Sequence, residues 1–451
     1  MASTKLLRSQ GTPTNNKIFT VSCWFKAAQV ANEMKLIYSD DNTTNNYTYI
    51  HFSDTSGRIR FQNRNSSSNN TELIWQNFIR DFSAWYHLVI AVDSTQATAS
   101  DRVKFYLNGV QQTTLDSGAN TFPPQNQSFT LNSSGYDVEI GAENSSAYFE
   151  GLMSYFAFVD GTAYDASYFG ETDSSSGIWK IKTAPSVTYG NNGFFLKMDT
   201  TSPGSDTSGN NNTFTASGTP TLTQDNASNN FATMNALDNY WAGSTFTNGN
   251  LSIATVTGND TYNNATMGYS TGKWYWETKI IQSSTYDQVG ITSKGSTASN
   301  QYMSSSLYSV VIKQDGNLWQ NAGSGSGAVG GWSGTSWTTG DIIGIAHDAT
   351  NNKIYVHKNG TYMNSGNPTT GSNGADTTAS SSTDTGVWLP AVGDEISSGT
   401  ASQFALNFGN GFFGTTAVAS SNADAAGYGL FEYAVPTGYY TLCTKNLNTY
   451  G

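Results

Sequence analysis

Asp137 and Glu139 stand in the string Asp137-Val-Glu139, so on a strand both carboxylates project from one face. Paired carboxylic groups are the machinery of glycosidic-bond hydrolysis, one as acid and one as nucleophile, about 5 Å apart where configuration is retained. Ile140-Gly-Ala142 follows, so the row of acids stops there and a plain polar strand face is the favoured reading. Glu277, beside Trp274 and Trp276, is chemically able to act as a lone acid, yet has no carboxylate neighbour in sequence. No catalytic residue is assigned, and no enzymatic activity is expected.

The four histidines, His51, His87, His347 and His357, lack the close pair spacing of a zinc site. His347 and His357 are expected to approach each other across a hairpin as neutral, hydrogen-bonded rings. There is no glycine-rich phosphate loop, no Gly-x-Ser-x-Gly elbow and no reactive Cys/His arrangement. No cofactor or metal is assigned. Calcium is the one ion for which acidic loops, Asp40-Asp41 and Asp93 to Asp101, offer oxygen ligands.

Trp332 and Trp337, in Gly331-Trp-Ser-Gly-Thr-Ser-Trp337, are the candidate carbohydrate-binding residues. A sugar ring stacks on such an indole while Asn and Ser side chains bond its hydroxyls. The competing reading, which is favoured, has these rings capping the open end of a sandwich or packing on a neighbouring subunit.

The elements that must position these groups are strands. Two segments share one plan. Trp85 to Asp93 is followed by Arg102 to Gly109, and Asp341 to Asp348 is followed by Lys353 to Gly360. Each is an aliphatic strand ending on Asp, a polar turn, an alternating strand and an Asn-Gly pair, which suits a tight turn because both residues tolerate positive φ. Alternating runs recur along both halves, and Gln314-Asp-Gly-Asn317 marks a hairpin. On the run Lys273 to Ile281, Trp274, Trp276, Thr278 and Ile280 share one face, expected inward, while Tyr275, Glu277 and Lys279 share the other, expected to be partly wet. Long amphipathic helices are not evident, and Ala27 to Met34 is read as a loop or single turn.

A chain of 451 residues suits two β domains of roughly 200 residues each. The expected division is residues 1–200, a Ser/Thr/Asn/Gly-rich linker over 201–230, and residues 231–451, with a long ordered loop as the rival reading of the middle stretch. Cys23 and Cys443 read as buried thiols with no disulfide framework. Charged residues are only 12% and the net charge is −12, with no Lys/Arg cluster, so nucleic acid is not an expected partner. No apolar run reaches the roughly 18 residues of a membrane span. Lys5 and Arg8 are followed by Ser-Gln-Gly-Thr-Pro13 in place of the apolar core of an export signal.

Several strings carry a resemblance. Phe19-Thr-Val-Ser-Cys-Trp-Phe25, Trp85-Tyr-His87, Phe105 to Gln112 and Gly151 to Phe158 are similar to a laminin-G-like, concanavalin-A-type lectin/glucanase domain. Gly272-Lys-Trp-Tyr-Trp-Glu277, Val289-Gly-Ile291, Gly340 to Ala346, Trp388-Leu-Pro-Ala391 and Phe404 to Gly409 resemble a SPRY domain. The resemblance implies an all-β fold of two tandem concanavalin-A-like antiparallel β-sandwiches of jelly-roll type. The glucanases of that fold carry a further acid two or three positions beyond the pair matched by Asp137 and Glu139, and this chain departs from them there.

Phe158 to Asp173, Trp179-Lys180, Gly193 to Lys197, Asp206 to Asn210 and Pro436 to Leu447 are similar to strings in virion proteins of tailed bacteriophages, many from marine and cyanobacterial hosts. The resemblance implies a surface protein of the virion, a fibre, appendage or capsid-decorating subunit present in many copies. Its implied partners are other virion structural proteins, copies of itself and host-surface glycans, with no membrane insertion. The alternatives are a bacterial secreted or surface carbohydrate-binding protein and, third, a polysaccharide depolymerase.

Overall fold

A computed structural model describes residues 4–29, 33–41, 45–66, 68–118, 120–174, 176–321, 325–377, 386–395 and 399–451. The chain divides into two compact units, one of Met1–Leu222 with Asn226–Ser228 and the other of Thr223–Asp225 with Asn229–Gly451.

In the first unit, period-two alternation on Ile18–Ala27 points Phe19, Val21, Cys23 and Phe25 to one side, where all four are fully buried. This strand lies within a six-stranded sheet ordered Phe194–Leu196, Gly151–Asp160, Ile18–Ala27, Tyr86–Asp93, Val103–Leu107, Val110–Gln112. A seven-stranded sheet faces it, ordered Thr215–Ser217, Lys5–Ser9, Asp137–Ile140, Lys35–Asp40, Tyr47–Phe52, Arg58–Asn65, Ser68–Phe78. Ile37, Ile50, Phe61 and Leu73 from the second sheet close the same core. Each such buried side chain stabilises by about 2 kcal/mol. Asn108 and Gly109 make the expected turn with φ of 48° and 81°. A Cβ at Gly109 would lie 2.5 Å from the Trp179 ring, so glycine is needed for space as well as for conformation.

Residues 201–230 are not simply a linker. Phe214 packs in the first core against Phe194, and Thr215–Ser217 pairs with Lys5–Ser9 as an edge strand. Asp206 fastens the stretch by accepting from the Phe195, Ser208 and Asn212 amides. A low-hydrophobicity run is thus held by one aromatic ring, one edge pairing and one half-buried carboxylate, and the units part at residues 222–229.

In the second unit, Lys273–Gln282 forms the spine of a nine-stranded sheet, with Gln403–Asn407 on one side and Ile342–Asp348 on the other. Trp274, Trp276 and Ile280 pack inward against Val289, Ile291, Val310, Ile312 and Val392 of a six-stranded sheet. The opposite face of the spine meets water toward its end, at the half-exposed Lys279 and the exposed Ile281. Tyr275 and Glu277 are also fully buried, because the segment through Phe431 and Tyr439 folds back over them. Tyr440–Thr441 even pairs with the spine in parallel before the short helix Thr444–Tyr450. Gly316, at φ 87°, turns the Gln314 to Asn317 hairpin. Cys23 and Cys443 are buried free thiols. Of Ala27 to Met34, residues 30–32 lie outside the described residues, and Ala27 still belongs to its strand. No described helix is long and apolar enough to cross a membrane.

Candidate functional site

Asp137 and Glu139 do share a strand face, and the cross-strand register places Glu139 beside Tyr38, then Tyr49, Gln62 and Glu72. Both carboxylates are already engaged. Lys5 Nζ lies 2.5 Å from Glu139 Oε1, and the Asn144 amide donates to Oε2 at 3.0 Å. Asp137 accepts from the Ser9 hydroxyl. Asp40, opposite Asp137, accepts from Tyr38 Oη at 2.9 Å and Asn144 Nδ2 at 3.0 Å. Each of these carboxylates serves as an acceptor within its own sheet.

Glu277 is a four-donor hub. Tyr275 Oη at 2.9 Å and the Tyr433 amide at 2.8 Å donate to Oε1, and the Glu432 amide at 3.0 Å and Asn407 Nδ2 at 3.3 Å donate to Oε2. Burial outweighs these donors and pushes its pKa up to about 7. The Gly360 amide donates to His357 Nδ1, so His357 Nε2 carries the proton and donates to Tyr275 Oη at 2.8 Å. His347 does not meet His357. The register sets His347 opposite Ile354 and Gly344 opposite His357, so the two rings lie on opposite faces of the sheet. His347 instead bonds Tyr269 Oη at 3.0 Å in the core. Burial lowers both rings to about 3 and keeps them neutral.

Trp337 has no exposed surface, and its Nε1 donates to the buried Asp287 at 3.1 Å. It cannot stack on a sugar. Trp332 is half-buried against the same core, with Nε1 donating to the Gly316 carbonyl at 3.0 Å. Trp337 therefore caps the hairpin end of the sandwich, while Trp332 packs one side on it and keeps part of its surface open. The acidic loops are likewise self-satisfied. Asp93 accepts from Thr95 and Gln96, and Asp41 accepts from Asn46. Among the described residues no three His, Cys, Asp or Glu side chains converge as metal ligands would.

The open aromatic surface lies elsewhere, in a loop that sequence reasoning passed over. Tyr240 is 86% and Trp241 46% exposed, with ring centroids 4.9 Å apart and planes at 84°. Leu237 beside them is also exposed. The loop is built to hold them there. Asn239 closes it by bonding both the amide and the carbonyl of Ser244, at 2.8 and 2.7 Å, and Ala242 is a buried anchor. Buried Asn263, on the strand Thr261–Asn264, donates to Asn239 Oδ1 at 3.1 Å. Next to the rings, the Asp238 carboxylate sits half-buried against Gly295 and accepts no hydrogen bond among the described residues. Burial raises its pKa. Two rings and one unspent acceptor on a fixed loop are what stacking on a sugar ring and bonding its hydroxyls require. The signal was present in the sequence as an aromatic pair, Tyr240-Trp241, outside any alternating run.

Residues 3–166 match a family profile described as the concanavalin A-like lectin/glucanases superfamily. No curated protein matches the chain. Among solved structures, the SPRY domain of human HERC1 is 18% identical over 36% of this chain and 91% of that one, with a TM-score of 0.27. Domain 4 of AbnA, a GH43 extracellular arabinanase from Geobacillus stearothermophilus solved with arabinotriose, is 17% identical over 35% and 68%, with a TM-score of 0.26. Domains LG4-5 of the mouse laminin alpha1 chain are 9% identical over 96% and 94%, with a TM-score of 0.29. The protein is an all-β chain of two units built from antiparallel sheets, and residues 3–166 of the first match the concanavalin A-like lectin/glucanase profile.

Proposed function

We propose that this chain is a non-catalytic, glycan-contacting surface protein of a tailed-phage-type virion, with a laminin-G-like unit followed by a SPRY-like unit. The single observation that carries the glycan reading is the Tyr240-Trp241 pair, held open to solvent beside the Asp238 carboxylate, which accepts no hydrogen bond among the described residues. The virion reading rests on the resemblance of residues 158–173 and 436–447 to tailed-phage virion strings. Other virion structural proteins and further copies of this chain are its proposed partners. One aromatic platform binds weakly, and many copies on a particle raise avidity by roughly 10² to 10⁴. Hydrolysis is disfavoured because Asp137 and Glu139 already serve Ser9, Lys5 and Asn144.

Two measurements test this reading. Mass spectrometry of purified virions from the host that carries the gene is expected to find the protein at structural copy number. Its absence there, with secretion into the medium, would favour a bacterial carbohydrate-binding protein instead. Incubation with host surface polysaccharide is expected to retain the protein on the polymer and to release no reducing ends. Reducing-end release that is abolished by Glu139→Gln would establish a depolymerase.

A further inference from the structure

The loop that presents Tyr240 and Trp241 carries a charge that a neutral sugar does not call for. The Asp238 carboxylate is half-buried, and burial alone shifts its ionisation, because no hydrogen-bond donor, lysine or arginine meets it among the described residues. Gly295 makes room for it, since a Cβ there would lie 2.5 Å from the carboxyl carbon. The neighbouring amide is spent: Asn239 Oδ1 accepts from the Ser244 amide and from Asn263, and its Nδ2 donates to the Ser244 carbonyl. An uncompensated negative charge is thus left two residues from the open rings. Those rings stand with their planes at 84°, so both cannot lie flat on one pyranose, and one of them is left to meet something else. A carboxylate and an aromatic face both attract a cation, the first as a charged acceptor and the second through its quadrupole. An ammonium only donates, so it matches both, and its bond to a carboxylate is about twice as strong as one between neutral groups. The net charge of −12 on the whole chain draws in a polycation and repels acidic glycans.

We propose that this platform selects a cationic sugar, a glycan unit with a free, unacetylated amine, whose ring stacks on one aromatic face while its ammonium takes Asp238. The inference rests on the glycan reading of the loop and narrows it to one substrate class. A lysine side chain offers the same ammonium without the sugar ring, and the test separates the two.

The test is calorimetric titration of the full chain with the β-linked tetramers of glucose, N-acetylglucosamine and glucosamine, and with tetralysine, at about pH 6, where a sugar amine is charged. The glucosamine tetramer is expected to bind roughly 10-fold tighter than either neutral tetramer at low salt, with the margin shrinking as salt is added. Tetralysine is expected to bind more weakly than the glucosamine tetramer. Asp238→Asn is expected to erase the margin, and Gly295→Ala, which crowds the carboxylate out of its place, to reduce it. Trp241→Ala is expected to weaken all three sugars. Equal binding of the three tetramers, or a margin that survives Asp238→Asn, overturns the cationic proposal and leaves the glycan reading standing. Tetralysine binding as tightly as the glucosamine tetramer overturns it in favour of ammonium recognition without a sugar. No binding by any tetramer also overturns it. Retention on host polysaccharide that is lost in Trp241→Ala would then show that the glycan reading survives, and no retention at all would bring both down.

Discussion

In the first unit Lys35 is fully buried, with its ammonium 2.9 Å from Glu143 and 4.6 Å above the centre of the Tyr49 ring, and Lys5 is buried 2.5 Å from Glu139. In the second unit the three most deeply buried carboxylates, Glu277, Asp287 and Asp394, are held by neutral donors alone among the described residues. Tyr, Asn and backbone amides hold the first, Ser and Trp337 the second, and Thr and Ser the third. No lysine or arginine is buried among the described residues of that unit. An opposite charge holds a carboxylate ionised, whereas with neutral donors the balance of hydrogen bonding against desolvation decides: four donors keep Asp160 of the first unit below its ordinary value, while at Glu277 and Asp394 desolvation wins. Glu277 is accordingly raised to about 7 and Asp394 to about 6, both by burial. Neutral donors also hold the buried Asp160 of the first unit, and Lys273 pairs with the buried Asp348 of the second, so the two units differ in the carboxylates that burial raises, Glu277 and Asp394, and pH should tell them apart.

The largest expected effect is that of Glu277→Gln. The substitution turns one oxygen into an –NH₂ group facing donors, so it should destabilise the second unit by about 3 kcal/mol at pH 7. Hydrogen exchange resolved by unit should register the loss there and leave the first unit unchanged. Next comes the pH profile. His87 in the first unit is lowered to about 3 and His51 well below its ordinary value, both chiefly by burial. For a depressed histidine the stability is complete above pH 6.5 and is lost as pH falls, by about 2 kcal/mol per ring at pH 5. In the second unit His347 and His357 act in the same direction, but Glu277 and Asp394 oppose them. A carboxylate raised in the fold gives its stability at low pH and loses it as pH climbs through the folded value, from about 4.5 to 7 for Glu277. Between pH 6.5 and 5 the first unit should therefore weaken by about 2 kcal/mol or more while the second stays within about 1. Exchange protection corrected for intrinsic rates, falling equally in both units, would refute the contrast. In Glu277→Gln the second unit should acquire the acid sensitivity of the first.

Much of this architecture was legible. Alternation on Lys273 to Ile281 predicted the inward set Trp274, Trp276 and Ile280, and Asn108-Gly109 and Gln314 to Asn317 predicted their turns, because period and turn chemistry are local properties. What failed was non-local. The outer face of Lys273–Gln282 is wet at Lys279 and Ile281 as alternation suggests, but nothing near it in sequence announces that residues 407–439 return to cover Tyr275 and Glu277. His347 and His357 were paired by proximity on a hairpin, whereas register alone decides faces. Trp337 and Tyr240 are both aromatics among Gly, Ser and Asn, and only tertiary contact separates the buried one from the open one. The stretch 201–230 lacked the hydrophobic density of a structured segment, yet a single Phe214 tethers it.

Smaller effects sharpen the comparison. Lys35→Met keeps the stem and removes the charge, and Glu143 is near enough to water to be resolvated. A cost below about 1.5 kcal/mol is expected in urea melts, well under that of Glu277→Gln. Trp337→Phe should cost about 1–2 kcal/mol through the lost bond to Asp287, whereas Trp241→Ala should change stability by less than about 0.5 kcal/mol. Equal costs for the two tryptophans in thermal melts would contradict their assignment to core and surface.

The most direct test of the glycan-contacting reading is retention of the full chain on host surface polysaccharide, wild type against Trp241→Ala, with reducing ends assayed in the same samples. Retention by the wild type, loss of it in the folded variant and no reducing ends from either are the predicted results. Undiminished retention in Trp241→Ala, or steady release of reducing ends by the wild type, would contradict the account.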